Sequence, residues 1–255
     1  MNSAIRANID MDIETHGLVI REYPKGERDK LLILLTPDMG RISVWAKGAR
    51  SPKSPLLSLC QLLSYSRIRL RKNAGSFYLA GGETNNLFFE IRESLERLSL
   101  AQYFCELADR ASADGRECEE ILSLILNSLY LLCRGEKEAH VKAVFELRLM
   151  SVIGFRPEIS QCAVCGGVSD EMFFDMNAGN VICSSCARGG KYAGAYPVNR
   201  AVYDAMNHII SSDAKKIFSF KLDAESERIL SKAAQGFMLT QLNINLKTLD
   251  FYNTL

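Results

Sequence analysis

The chain has 255 residues, 47% of them hydrophobic and 24% charged, which is the composition of an ordinary globular protein. No apolar run approaches the ~20 residues of a membrane helix, and Met1 to Thr15 lacks the apolar core of a signal peptide. The net charge of +1 is unevenly spread: residues 1 to 80 carry thirteen Lys and Arg against seven Asp and Glu, whereas the remainder carries eighteen against twenty-three. A basic amino-terminal part on a nearly neutral chain points to a polyanion-binding surface, although any solvated surface is charged. Eight cysteines with no secretory leader suit a reducing, cytoplasmic compartment, where metal binding is favoured over disulfides.

The first eighty residues read as β-structure. Thr15 to Tyr23 mixes apolar and polar positions and is bounded by Pro24 and Gly26. Lys30 to Leu35 is a short apolar run that stops at the turn cluster Thr36-Pro37-Asp38-Met39-Gly40. Arg41 to Lys47 alternates strictly, as a strand with one wet face should. Leu62 to Arg71 and Ser76 to Ala80 supply two more candidates. About five short strands separated by turn signals predict a small barrel or sandwich, a class that includes the oligonucleotide-binding (OB) barrel.

Between the third and fourth strands lies Ala46-Lys47-Gly48-Ala49-Arg50-Ser51-Pro52-Lys53-Ser54. Cations and hydroxyls on a loop suit phosphate oxygens, and the charge they neutralise gives affinity independent of sequence; a merely solubilising turn is the plainer reading. Arg67, Arg69 and Arg71 share one face of a strand, which strengthens the nucleic-acid reading, and Lys30 adds a further cation. Trp45, Tyr65 and Tyr78 either stack bases or fill the barrel core.

After Gly81-Gly82 the period becomes helical. Ile91, Leu95, Leu98, Tyr103 or Phe104, and Leu107 line one face of a helix ending near Asp109. Cys118 to Cys133 predicts a second helix closed by Gly135, and Val141 to Val152 a third closed by Gly154 and Pro157. Helical patterns return from Asn199 or Arg200 to Ile210, at Ala224 to Gln241 and around Leu246 to Phe251.

Between these blocks stand Cys162-Ala163-Val164-Cys165 and Cys183-Ser184-Ser185-Cys186. Two Cys-x-x-Cys pairs at this distance can wrap four thiolates around one tetrahedral Zn²⁺. Four thiolates fill the coordination sphere, so the site would be a structural staple with no position left for a reacting water. An iron–sulfur cluster also accepts four thiolates, and spacing alone leaves it open. A thioredoxin-like redox pair needs a βαβ context that neither pair has. The segment from Met172 to Ile182 reads as a β-hairpin with a Gly turn. Phosphate loops with Walker spacing, the Gly-x-Ser-x-Gly elbow and paired-histidine metal motifs are absent, and the chain is expected not to be an enzyme.

Taken together, Gly26-Glu27-Arg28-Asp29-Lys30, Thr36 with Gly40, Ala46-Lys47-Gly48-Ala49-Arg50 followed by Lys53-Ser54, Gly154-Phe155-Arg156-Pro157-Glu158 and the cysteine quartet resemble the bacterial recombination mediator family RecO over essentially the whole chain. The resemblance implies an α+β multidomain protein. A five-stranded OB-type barrel would occupy residues 1–81 and a helical domain residues 82–160 and 192–255, with a zinc module at 161–191 on Cys162, Cys165, Cys183 and Cys186. It implies binding and annealing of single- and double-stranded DNA, and work with RecR to help RecA replace single-strand-binding protein. A contact with that protein's acidic, apolar-ended tail through the helical domain and a cytoplasmic, nucleoid-associated setting also follow. Lys47, Arg50 and Lys53 match the family's basic motif and are the foremost DNA contacts; Lys30, Arg67, Arg69 and Arg71 rest on charge and pattern. The competing reading is a zinc-stapled interaction adaptor whose barrel binds a protein.

Overall fold

The computed structural model describes residues 11–188, 190, 192 and 194–255. The leader reading of Met1 to Thr15 therefore falls mostly outside the described residues, as do positions 189 and 191 at the end of the expected cysteine module. The chain gathers into two compact units, one formed by the residues up to Ser94 with Ala101–Leu122, the other by Leu95–Leu100 with Ser123–Leu255. Among the described residues no helix is long and apolar enough to cross a membrane.

In the first unit, β1 (Met11–Lys25), β2 (Asp29–Thr36), β3 (Gly40–Ala46), β4 (Tyr65–Asn73) and β5 (Ser76–Asn86) close into a barrel in the order β1-β2-β3-β5-β4. This is the five-stranded barrel that the family resemblance implies, and it decides between the barrel and the sandwich that the strand pattern left open. β1 makes closure possible: Met11 to Leu18 pair with β4 and Leu18 to Lys25 pair with β2, and a register shift between Val19 and Arg21 bends the strand from one neighbour to the other. β3 and β5 complete the ring as a parallel pair. Alternation sorts the side chains: Ile42, Val44, Ala46, Ile68 and Leu70 enter the core, and Arg67, Arg69 and Arg71 stay outside. Leu59 and Cys60, from the segment between β3 and β4, join the same core. β5 continues through Gly81 and Gly82, where the sequence pattern seemed to leave β-structure. A β-carbon on Gly82 would overlap the carbonyl oxygen of Arg67, so glycine is what lets β5 lie against β4 there.

The Thr36…Gly40 signal has a packing role. The buried Thr36 hydroxyl donates to the Gly40 carbonyl at 2.9 Å and accepts from the Met39 amide at 3.2 Å, shaping the β2–β3 turn. The chain around Gly115 then docks on that turn, with Gly115 N–H donating to the Met39 carbonyl at 3.0 Å and Cys118 N–H to that of Pro37 at 2.8 Å. Arg41 secures the contact through Asp109 and Asp114.

The helices are α1 (Leu95–Ala111), α2 (Glu119–Cys133) and α3 (Glu138–Val152), then α4 (Ser184–Ala187), α5 (Arg200–Ser211), α6 (Ala224–Leu242) and α7 (Lys247–Tyr252). The expected face from Ile91 through Leu95 is not one helical face. Ile91 sits in a separate 3₁₀ turn, Ser94 is extended, and Leu95 opens α1 55% exposed. The break at Ser94 puts the two segments out of phase. α3 is buried on every side from His140 to Leu147 and carries a buried Lys142–Glu146 ion pair at 2.8 Å. Asn199 caps α5 through the Val202 amide and also donates to Ser226 in the capping turn of α6, whose own cap is Asp223.

The cysteine region forms a second sheet of β6 (Glu158–Cys162), β7 (Glu171–Asp175), β8 (Asn180–Cys183) and β9 (Tyr196–Asn199) in the order β6-β8-β7-β9. The β7–β8 hairpin is the one expected, with Gly179 at φ +65 in its turn. Its flanking strands were not foreseen: β6 is short and pairs in parallel, and β9 contains Pro197. The hairpin tip seats on α6, where Gln241 donates to the carbonyls of Met176 and Asn177 at 2.7 and 2.9 Å and Phe237 meets Phe174 at 5.3 Å between ring centroids.

Gly40 tests the docked turn. It has φ +65, and a β-carbon there would overlap the carbonyl oxygens of both Ala113 and Arg116. Gly40→Ala combines backbone strain with a backbone collision and is expected to cost about 3 kcal/mol. Thermal unfolding followed by circular dichroism should show a clear drop in midpoint; an unchanged midpoint would contradict the docking.

Candidate nucleic-acid interface and metal centre

The β1–β2 turn and the start of the β3–β4 segment are built as one piece. Asp29, the first residue of β2, accepts the Gly48 amide at 2.8 Å on one carboxylate oxygen and the Lys47 ammonium at 2.9 Å on the other. The Arg50 amide donates to the Arg28 carbonyl at 2.9 Å, and its guanidinium to the Gly26 carbonyl at 2.6 Å. Gly26 and Gly48 both have positive φ, which glycine adopts without cost. The two separate motifs of the sequence, Gly26 to Lys30 and Ala46 to Arg50, are thus the two halves of one clamp. The Gly48 amide first, and the Lys47 ammonium after it, hold the Asp29 carboxyl below the usual carboxylate range.

Lys47, Arg50 and Lys53 are all exposed on this one loop. The Lys47 side chain is 64% accessible despite its ion pair, and its ammonium lies 5.3 Å from the centre of the Trp45 ring. Lys30 is placed differently. Its ammonium bonds Glu22 at 2.6 Å and the Cys60 carbonyl at 3.1 Å, and only 22% of the side chain is accessible. The arginine stripe lies on the outer face of β4 opposite acidic residues of β1: Arg67 pairs with Glu14, and Arg71 with Asp12 at 3.6 Å. Arg69 extends over Gly81 on β5. Lys47, Arg50 and Lys53 are thus exposed along one loop, the arginines lie on β4, which borders β5 and β1, with carboxylates beside two of them, and Lys30 is tied inward.

Sequence reasoning left Asp29 out of the site, although it stands inside a quoted motif. It also missed the facing carboxylates, whose signal is the alternation of Asp12, Glu14 and His16 along β1. Trp45 and Tyr78 are half-buried on the outer face, not in the core, and Tyr65 stacks on His16 at 5.8 Å.

In the second unit, the sulfur atoms of Cys162, Cys165, Cys183 and Cys186 all lie within 4.8 Å of one another. Cys162 ends β6 and Cys183 ends β8, so the sheet fixes one thiol of each pair and the following turns bring in the other. Val164 N–H points at Cys162 Sγ and Gly167 N–H at Cys165 Sγ, each at 3.4 Å, as donors to thiolate ligands do. Burial pushes the Cys162 thiol up, but amide hydrogen bonds from Cys183, Val164 and Cys165 outweigh it and bring it to about 6. Hydrogen bonding to Cys183 and Cys165 instead raises Cys186 to about 12. A soft four-sulfur donor set of this kind suits a tetrahedral metal ion. Of the remaining cysteines, Cys60, Cys105 and Cys118 are buried packing groups, with burial raising the first two to about 12, and Cys133 is half-buried.

Two family models together match most of the chain, Recombination protein O N terminal over residues 11–88 and Recombination protein O C terminal over residues 92–250. The chain belongs to the RecO family. DNA repair protein RecO of Acetivibrio thermocellus is 34% identical over 245 residues, covering 95% of this chain and 97% of the relative. Those of Alkaliphilus metalliredigens and Symbiobacterium thermophilum are 30% and 29% identical, each over 94% of this chain and 98% and 96% of the relative. The amino-terminal RecO model spans the barrel with its clamp, and the carboxy-terminal one spans the cysteine cluster.

The clamp makes an acid-sensitive prediction. Because the folded Asp29 value lies below the unfolded one, its contribution is complete above the unfolded range and is lost as the pH falls through the folded value. In an acid titration followed by NMR, the Gly48 amide should lose exchange protection while core amides of β2 keep theirs. Asp29→Asn, which retains an acceptor but no charge, should remove that dependence.

Proposed function

We propose that this RecO-family protein is a non-enzymatic, DNA-binding recombination mediator. The loop bearing Lys47, Arg50 and Lys53 grips the phosphates of single and double strands, with Arg67, Arg69 and Arg71 extending the track along β4. Screening phosphate repulsion and holding two strands together is sufficient for annealing, so no covalent chemistry is required. In this reading the protein works in the cytoplasm at the nucleoid, with RecR, to help RecA displace single-strand-binding protein. The observation that carries the proposal is three exposed cations on one loop whose backbone is pinned by the Asp29 carboxylate and the Arg28 carbonyl.

Zn²⁺ is the metal we assign to Cys162, Cys165, Cys183 and Cys186. It would supply a cross-link between β6 and β8, and its loss would unfasten the hairpin from its sheet. For the acidic, apolar-ended tail of single-strand-binding protein, we assign the cavity of about 670 Å³ beside α3 and α6. Lys221 and Lys137, the latter paired with Glu227 at 2.9 Å, supply positive charge there beside the carboxylates of Glu136 and Glu227, and Phe218, Phe220 and Leu222 form an apolar wall.

Two measurements test the proposal. Binding of a labelled single strand should weaken steeply with salt. Changing Lys47, Arg50 and Lys53 together to Ala should lower the slope of log affinity against log salt by about 2, at ~0.7 per lost single-strand phosphate contact. A triple variant with the parental slope would remove the loop from the interface. For the metal, elemental analysis of protein purified under reduction should return one zinc per chain, and Cys183→Ser should abolish it; iron in its place would replace the assignment.

A further inference from the structure

The outer surface of the barrel carries a continuous row in which only Arg71 belongs to the cations already assigned. Strand register places Tyr23, Leu31, Trp45, Tyr78 and Arg71 side by side on β1, β2, β3, β5 and β4 in turn. Their neighbours Leu32, Val44, Leu70 and Leu79 point into the core, which fixes this row as outward. Trp45 and Tyr78 are direct partners on the parallel pair, so their side chains stand about 4.8 Å apart at the backbone. Both rings are half-buried and Tyr23 is 41% exposed.

Each of the two central rings has a cation beside it. Lys47 follows Trp45 by two residues on the same face and holds its ammonium 5.3 Å from the ring centre; Arg71 is the cross-strand partner of Tyr78. Lys72, next along β4, lies 5.3 Å from the Phe77 ring. A flat aromatic face flanked by a positive charge matches the two parts of a nucleotide, a π-surface for the base and a counter-charge for its phosphate. A duplex keeps its base faces stacked inside and offers the row only phosphates, whereas an unpaired strand offers both.

We infer that Trp45 and Tyr78 form a base-stacking platform that makes the barrel bind unpaired DNA more tightly than duplex, with Lys47 moving from Asp29 and the Trp45 face to a phosphate when the strand arrives. This rests on the reading of the Lys47–Lys53 loop as a DNA contact and adds to it the source of strand selectivity. The exchange is isoelectric: Lys47 leaves one anion for another, and the Trp45 face is uncovered for a base.

The sole tryptophan of the chain is Trp45, so its emission reports on the platform directly. The full-length protein is titrated with a fluorescently labelled oligothymidylate. Anisotropy of the label and tryptophan emission are followed in parallel, and a blunt duplex of equal length serves as comparison. The expected result is strong quenching of Trp45 by the single strand, with the same midpoint as the anisotropy, and little change with saturating duplex. Tyr78→Ala and Trp45→Ala should each weaken single-strand binding about tenfold, leaving duplex affinity and the salt slope as in the parent, because no phosphate contact is lost. Trp45→Phe should recover most of the loss, which separates stacking from a folding defect. Anisotropy that reports single-strand binding while Trp45 emission stays constant would overturn the platform and leave the phosphate-binding loop standing. Absence of any anisotropy change would overturn both. Equal losses for single strand and duplex in the alanine variants would likewise assign the rings to barrel packing alone.

Discussion

Closure of the barrel rests on β1. A strand of fifteen residues spends its first half hydrogen-bonded to β4 and its second half to β2, and the irregularity between Val19 and Arg21 lets it turn from one to the other. Once the ring is closed, parity decides which side chains enter the barrel core and which stay outside it. That parity sets the arginines of β4, the rings of β3 and β5 and the cations of the β3–β4 segment on the outside. A slip of one residue in β1 would turn Val19 out of the barrel core and dissolve the arrangement.

Charge on this barrel is organised by short local partnerships. The excess of cations in the first eighty residues suggests a broad positive field, but Glu14 and Asp12 sit against Arg67 and Arg71, Glu22 against Lys30, and Asp29 against Lys47. Exposed pairs of this type contribute little to stability, about 0–1 kcal/mol each, and their partners exchange readily. They therefore hold long side chains in place without locking them. Asp29 differs in also binding a backbone amide, so it retains the loop's shape when its ammonium partner leaves.

Much of this was legible in the residues, for identifiable reasons. The alternation from Arg41 to Lys47 fixed β3, and it already placed Trp45 with Ser43 and Lys47 on the wet face; only the size and hydrophobicity of the ring argued for the core. The cysteine spacing gave the cluster, since two Cys-x-x-Cys knuckles have few other geometries. β6 and β9 were hidden because a five-residue parallel strand and a four-residue strand with Pro197 carry no periodic signal. The pairing of Asp12 and Glu14 with the arginines depends on the register between strands some fifty residues apart, which no local pattern encodes. Gly82 read as a breaker, yet its missing side chain serves close strand contact, a role sequence does not distinguish from a turn.

The seat of the β7–β8 hairpin on α6 has a consequence for how the chain matures. All four thiols are synthesised before the helix bearing Phe237 and Gln241. The hairpin therefore has no seat until the rest of the chain follows. Nascent chains that stall before α6 would leave the aromatic underside of the hairpin, Phe174, without its cover.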